Sequence, residues 1–117
     1  MKDIKNIEDL DLKTYNVINS LIKLFNKTLD KIEECIINKN YLIDINKNIL
    51  ESHLSIIKDL SKDIGEEYDF DIIIHQNCIT KKEELYIFSN NYEKALNLIK
   101  KIKFYVDFQS KVIKGNA

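Results

Sequence analysis

Apolar residues recur at steps of three and four along two stretches of the chain: Tyr15, Ile18, Ile22, Phe25, Leu29, Ile32 and Ile36, and later Leu85, Phe88, Tyr92, Ala95, Ile99, Ile102 and Val106. At 3.6 residues per turn, that spacing puts each set on one stripe of a long helix and leaves Lys, Asn, Asp and Glu on the remaining surface. The first stripe predicts a helix over residues 12–37, about 40 Å long at the usual rise per residue. Asp11 is placed to accept hydrogen bonds from its first free amides, after a short lead-in at residues 1–11 that carries Ile4, Ile7 and Leu10. Asn38-Lys39-Asn40 predicts the helix end, because Asn tolerates the left-handed conformation and competes for backbone hydrogen bonds.

A second helix is expected over residues 41–64, with Ile45, Ile49, Leu50, Leu54, Ile57, Leu60 and Ile64 facing inward and Gly65 at its C-cap. So short a connection makes the first two helices antiparallel neighbours. The last helix is expected over residues 81–113. Thr80 and Glu83 are spaced as a capping box, and Asn90 with Glu93 forms a second cap at a kink near Ser89-Asn90-Asn91. Residues 66–80 read two ways. Tyr68, Phe70, Ile72 and Ile74 alternate along a β-branched run, as in a strand, and residues 85–88 offer a pairing partner. A connecting loop without Gly, together with the capping box, favours a short helix instead. The expected fold class is therefore all-α: an antiparallel bundle of three long helices plus one or two short helical pieces, in a single domain over residues 1–117. The alternative is an α+β fold with a small hairpin at residues 68–88.

Composition narrows what such a bundle could do. Of the 117 residues, 44% are hydrophobic and 32% charged, ordinary values for a globular chain with one core. No apolar run approaches the roughly 20 residues needed to cross a bilayer, and residues 1–6 lack the apolar core of a signal peptide, so a cytoplasmic protein away from the membrane is expected. Ile occurs 21 times and Asn 13 times, while Arg, Pro and Trp are absent, a skew expected of an AT-rich genome. With Lys as the sole strong base, no guanidinium is available for bidentate recognition of phosphate or guanine, which counts against nucleic acid as a partner. The net charge is −1 but unevenly spread. Residues 41–80 hold three Lys against eight acids, and residues 81–117 hold eight Lys against four. Two such surfaces could attract each other within one bundle or between subunits.

Candidate chemistry is sparse, and no enzyme, metal or cofactor is expected. Cys35, His53, His75 and Cys78 are the strong soft-metal ligands, but their spacing matches no zinc finger or ribbon. Neither His follows a Glu by three positions, as a carboxylate-bridged metal site in a bundle requires. Asp71 and His75 stand four apart, a spacing compatible with an acid/base or metal pair but far more often that of a solvated Asp beside a partly buried His. With glycine only at positions 65 and 115, neither a nucleophile elbow around a Ser nor a phosphate-cradling loop can be built. The small helical ribonucleases of toxin systems pair an Arg with a His, and this chain has no Arg.

Interaction surface is where the pattern leans towards function. Besides its stripe, the last helix carries Leu98, Phe104, Tyr105, Phe108 and Val112, more apolar residues than one packed face needs. The expected role is stoichiometric binding of another protein, as by a small inhibitor, immunity protein, chaperone or phage anti-defence factor. Two surfaces are candidates: an aromatic one of Tyr86, Phe104, Tyr105 and Phe108, and an acidic one of Asp63, Glu66, Glu67, Asp69 and Asp71. Self-association is a further expectation, and the alternative function is an oligomer that binds a small ligand such as a nucleotide signal. A short lead-in, a long antiparallel pair and a long C-terminal helix in about this length is similar to the plan of flagellar export chaperones and of helical bacteriocin immunity proteins; no site residue carries over from either.

Overall fold

The computed structural model describes residues 12–116, so the lead-in and the Asp11 cap lie outside the described residues. In chain order the elements are α1 (Leu12–Ile37), β1 (Leu42–Ile43), α2 (Lys47–Asp63), β2 (Asp71–Gln76), β3 (Glu83–Phe88) and α3 (Tyr92–Asn116). The strands form one antiparallel sheet in the order β1-β3-β2. The all-α bundle is thus corrected to an α+β fold, and the segment assigned to a short helix forms the first strand of a hairpin.

The physical reason lies in the turn. The turn closes without glycine because Lys81 takes the left-handed position and the Asn77 side chain ties the loop. Asn77 Oδ1 accepts hydrogen bonds from the Ile79 and Thr80 amides at 2.9 and 3.0 Å, and Lys81 adopts the left-handed conformation at φ 62°. The turn closes with the Asn77 amide donating to the Lys82 carbonyl and the Lys81 amide donating to the Asn77 carbonyl, both at 2.9 Å. Thr80 Oγ1 accepts from the Lys82 amide, so the expected capping box is not made and Glu83 opens a strand instead. Leu85 and Phe88, three apart, matched a helical stripe by coincidence. In the strand Leu85 and Ile87 are buried, whereas Phe88 is 39% exposed. The last helix accordingly begins at Tyr92, capped by Asn91, whose Oδ1 accepts from the Lys94 amide, and not by Asn90.

Two other boundaries follow from local capping. Asn46 accepts from the Asn48 and Ile49 amides, which starts α2 at Lys47 and releases residues 41–46 from the expected helix. Leu42 and Ile43 then pair with Tyr86 and Leu85 as β1. At the far end of α2, Gly65 takes φ 71°, the Gly65 amide donates to the Lys62 carbonyl and the Glu66 amide to the Ser61 carbonyl, the paired bonds of a Schellman cap. α1 ends the same way after Ile37, although the left-handed residue there is Lys39, not an Asn.

One core joins the layers. Phe25, Leu29, Ile32 and Ile36 of α1, Leu50, Leu54 and Ile57 of α2, and Ala95, Leu98, Ile99 and Ile102 of α3 pack with Ile43, Phe70, Leu85 and Ile87. Beside it Thr28 Oγ1 and His53 Nδ1 share a buried hydrogen bond, with the Phe25 ring edge-on to the imidazole at 5.3 Å. Lys103 ties α3 to α1 through Asp30 at 2.6 Å and Glu33 at 3.2 Å. Tyr41, just beyond α1, stacks on Tyr92 at the start of α3, so these two helices run antiparallel. Burial along them stops short of their outer ends: Leu12, Val17 and Leu21 on α1 and Phe104 and Phe108 on α3 are exposed. No helix among the described residues is long and apolar enough to cross a membrane.

Candidate protein-binding surface

Helical geometry determines which of the α3 aromatics meet. Phe104 and Phe108 are one turn apart and lie on the same face, outside the core stripe of Ala95, Leu98, Ile99 and Ile102. Phe104 is 76% exposed and Phe108 56%. Tyr105, half-buried, joins Phe104, Ile64, Lys100 and Lys101 around a shallow, mostly apolar depression. Ile64 reaches it because the Gly65 cap ends α2 against α3. The same cap delivers Glu66 to Lys101, and the two form an ion pair at the edge of the depression.

The acidic stretch is thereby divided. Glu66 belongs to the α3 surface through Lys101. Asp69 is committed to the fold: its carboxylate accepts from the Asn90 amide at 2.9 Å, from Asn90 Nδ2 at 3.2 Å and from Ser89 Oγ at 3.4 Å, which pins the turn into α3. Glu67 lines the small cleft beside that turn together with Asn91 and Lys94. Asp63 is exposed at the last turn of α2, and Asp71 opens β2 opposite Phe88. These five acids do not form one patch.

Tyr86 is also separate from the α3 aromatics. It sits in the central strand β3, on the sheet face turned away from the core, opposite Ile73 on one side and Leu42 on the other. Its hydroxyl donates to Glu84 at 2.9 Å, and Asn77 Nδ2 donates to the other oxygen of that carboxylate at 2.9 Å. The hydrogen bond from Asn77, reinforced by that from Tyr86, holds the Glu84 carboxyl below its ordinary range, while the same bond to Glu84 raises the Tyr86 phenol. Elsewhere, on the core side, burial, with a smaller contribution from Asp71, pushes the Tyr68 phenol up to about 12.

The soft ligands are dispersed over four elements. Cys35 is half-buried on α1 and donates to the Leu42 carbonyl at 3.3 Å; burial raises its thiol above the ordinary value. His53 is buried in the core, which lowers its pKa, whereas His75 lies exposed on β2 and Cys78 exposed in the turn. No three of the described His, Cys, Asp and Glu side chains come close enough together to hold a metal ion.

Reading the sequence as helix missed Ile64 and Lys101 as neighbours of the aromatic face, since Gly65 signalled a cap but not where the cap would land. It also missed the open edge of β2, where Ile73 and Ile74 are 49% and 44% exposed. The alternation over residues 68–76 carried that signal. Compared with family models, with curated proteins and with solved structures, the chain matches none.

Proposed function

We propose that this protein works by stoichiometric, non-catalytic binding of another protein through the outer face of α3, in the manner of a small inhibitor, immunity protein, chaperone or anti-defence factor. The observation that carries this is the exposure of Phe104 and Phe108 on a helix whose opposite face, Leu98, Ile99 and Ile102, is buried in the core. Burying a phenylalanine side chain is worth about 1.5–3 kcal/mol, so two such rings in water are a standing gain for any partner that covers them. Lys100 and Lys101 rim the adjoining depression, which suits a partner that brings an apolar side chain surrounded by carboxylates. At Lys101 such carboxylates compete with Glu66, whereas Lys100 makes no ion pair among the described residues. The setting proposed is the cytoplasm.

The test is capture from the native host or its target cell on immobilised protein, with mass spectrometry of what is held and calorimetric titration of the purified partner. A saturable 1:1 complex that weakens at least about tenfold with Phe104→Ser/Phe108→Ser agrees with the reading. An unchanged set of captured proteins and an unchanged affinity with that folded double variant refute it.

A further inference from the structure

The geometry points to a second interaction surface, the open edge of β2, whose occupant is β2 of a second copy of this chain, paired antiparallel about a two-fold axis. With the order β1-β3-β2, both β1 and β2 are edges of the sheet among the described residues. Natural sheets protect such edges with short strands, bulges, Lys or Pro. β1 has two residues and is protected by its brevity. β2 has none of these devices. It pairs with β3 without interruption over six residues, reads Asp-Ile-Ile-Ile-His-Gln, and lies in a segment with no Lys between Lys62 and Lys81.

The ladder determines which backbone groups remain open. The Asn77 amide bonds to the Lys82 carbonyl on the β3 side, and the Ile87 amide turns the other way, to the Tyr41 carbonyl. Alternation along antiparallel strands then directs Asp71, Ile73 and His75 towards β3 and turns the amides and carbonyls of Ile72, Ile74 and Gln76 outward. A second β2 can bond only by matching outward residues with outward residues, which permits registers two residues apart. Among them, one centres the two-fold axis on Ile73. It sets Ile72 against Ile74 of the second copy, Ile73 against its own equivalent, and Asp71 against His75.

That register alone matches every isoleucine with an isoleucine and places a carboxylate beside an imidazole that can donate to it. Shifting by two residues either way puts His75 or Asp71 opposite Ile73. The preferred arrangement is isologous, so it closes as a dimer and does not propagate. Its sheet has six strands, and the exposed sides of Ile73 and Ile74 become covered. Glu84, opposite His75 in β3, stays on the same outer row, so each imidazole lies between two carboxylates.

Five residues of each strand pair, a small interface, so association is expected to be weak, with a dissociation constant between about 10 µM and 1 mM. The experiment is sedimentation equilibrium of the full chain over that range, beside Ile74→Pro. Proline at 74 removes only an outward amide, which leaves the β2–β3 ladder intact. In parallel, Ile73→Cys and Ile79→Cys are each placed in a Cys35→Ser/Cys78→Ser background and oxidised; residue 79 is fully exposed in the turn and far from the axis. The expected result is a monomer–dimer equilibrium that Ile74→Pro abolishes with its circular dichroism unchanged, and disulfide dimer forming at least about tenfold faster at 73 than at 79. A wild-type monomer up to about 1 mM, a folded Ile74→Pro that still dimerises, or equal cross-linking at the two positions overturns the proposal.

Discussion

The outer face of α3 and the open edge of β2 both expose large apolar side chains, but they differ in what their backbones offer. Within α3 the amides and carbonyls are satisfied by the helix, so Phe104 and Phe108 present side chains alone and suit a partner of complementary shape and charge. Along β2 every second residue also presents a donor and an acceptor unpaired among the described residues, so a partner must supply a strand. The lesson is that exposed area alone does not identify a partner. A shape-matched protein is the natural occupant of the first surface, and a copy of the same strand the natural occupant of the second.

The largest effects should separate both surfaces from the core beneath them. Ile102 is fully buried, and Ile102→Ala is expected to cost about 2–5 kcal/mol in urea denaturation, whereas Phe104→Ser, two residues on and 76% exposed, should change stability by under about 0.5 kcal/mol. A comparable loss for Phe104→Ser would mean that the ring is packed and not available to a partner. Next comes the backbone of β2. Ile73→Pro removes a ladder bond to β3 and should cost about 2 kcal/mol, while Ile74→Pro should be close to neutral in the monomer. Equal losses at 73 and 74 would place the outward direction of the ladder wrongly.

Acid sensitivity offers a smaller test, set in the core that supports both surfaces. Burial lowers the His53 pKa from its ordinary 6.5, so the unfolded chain binds a proton more readily than the folded one. The contribution of His53 is therefore complete above about pH 6.5 and is lost as pH falls through its lowered folded-state value. Denaturation midpoints measured between pH 7.5 and pH 5 should fall, and His53→Gln should flatten part of that fall. An unaltered slope would remove His53 as the source. Smallest is the tie between α1 and α3: the Asp30 carboxylate, and secondarily Glu33, raise the Lys103 pKa. Because the pair is partly exposed, Lys103→Gln should cost under about 1 kcal/mol, and less in high salt.

How much of this was legible follows from the range of each signal. α1 could be read from its stripe because Phe25, Leu29, Ile32 and Ile36 share one face and a helix repeats the same geometry at every turn. Gly65 could be read because a left-handed cap favours glycine whatever surrounds it. The hairpin was harder, since its turn depends on Asn77 folding back onto the amides of Ile79 and Thr80, and Lys81 accepts a left-handed φ that its residue type does not advertise. β1 gave no local signal. Leu42 and Ile43 are a strand only because β3 lies beside them. The aromatic set was half legible for the same reason: helical spacing unites Phe104 with Phe108, but only the sheet carries Tyr86 away from them. Nothing local to Asp69 announced that it would hold the Asn90 amide instead of facing a partner.

The two surfaces are separable by one crossed experiment. Mass by light scattering and partner capture are measured together for Phe104→Ser/Phe108→Ser and for Ile74→Pro, both near the concentration at which the wild type is half dimeric. The expected result is a clean exchange of losses: the double serine variant keeps the dimer and loses the partner, and the proline variant keeps the partner and loses the dimer. A double serine variant that becomes monomeric, or a proline variant that no longer captures the partner while remaining folded, would show one shared surface where two are claimed.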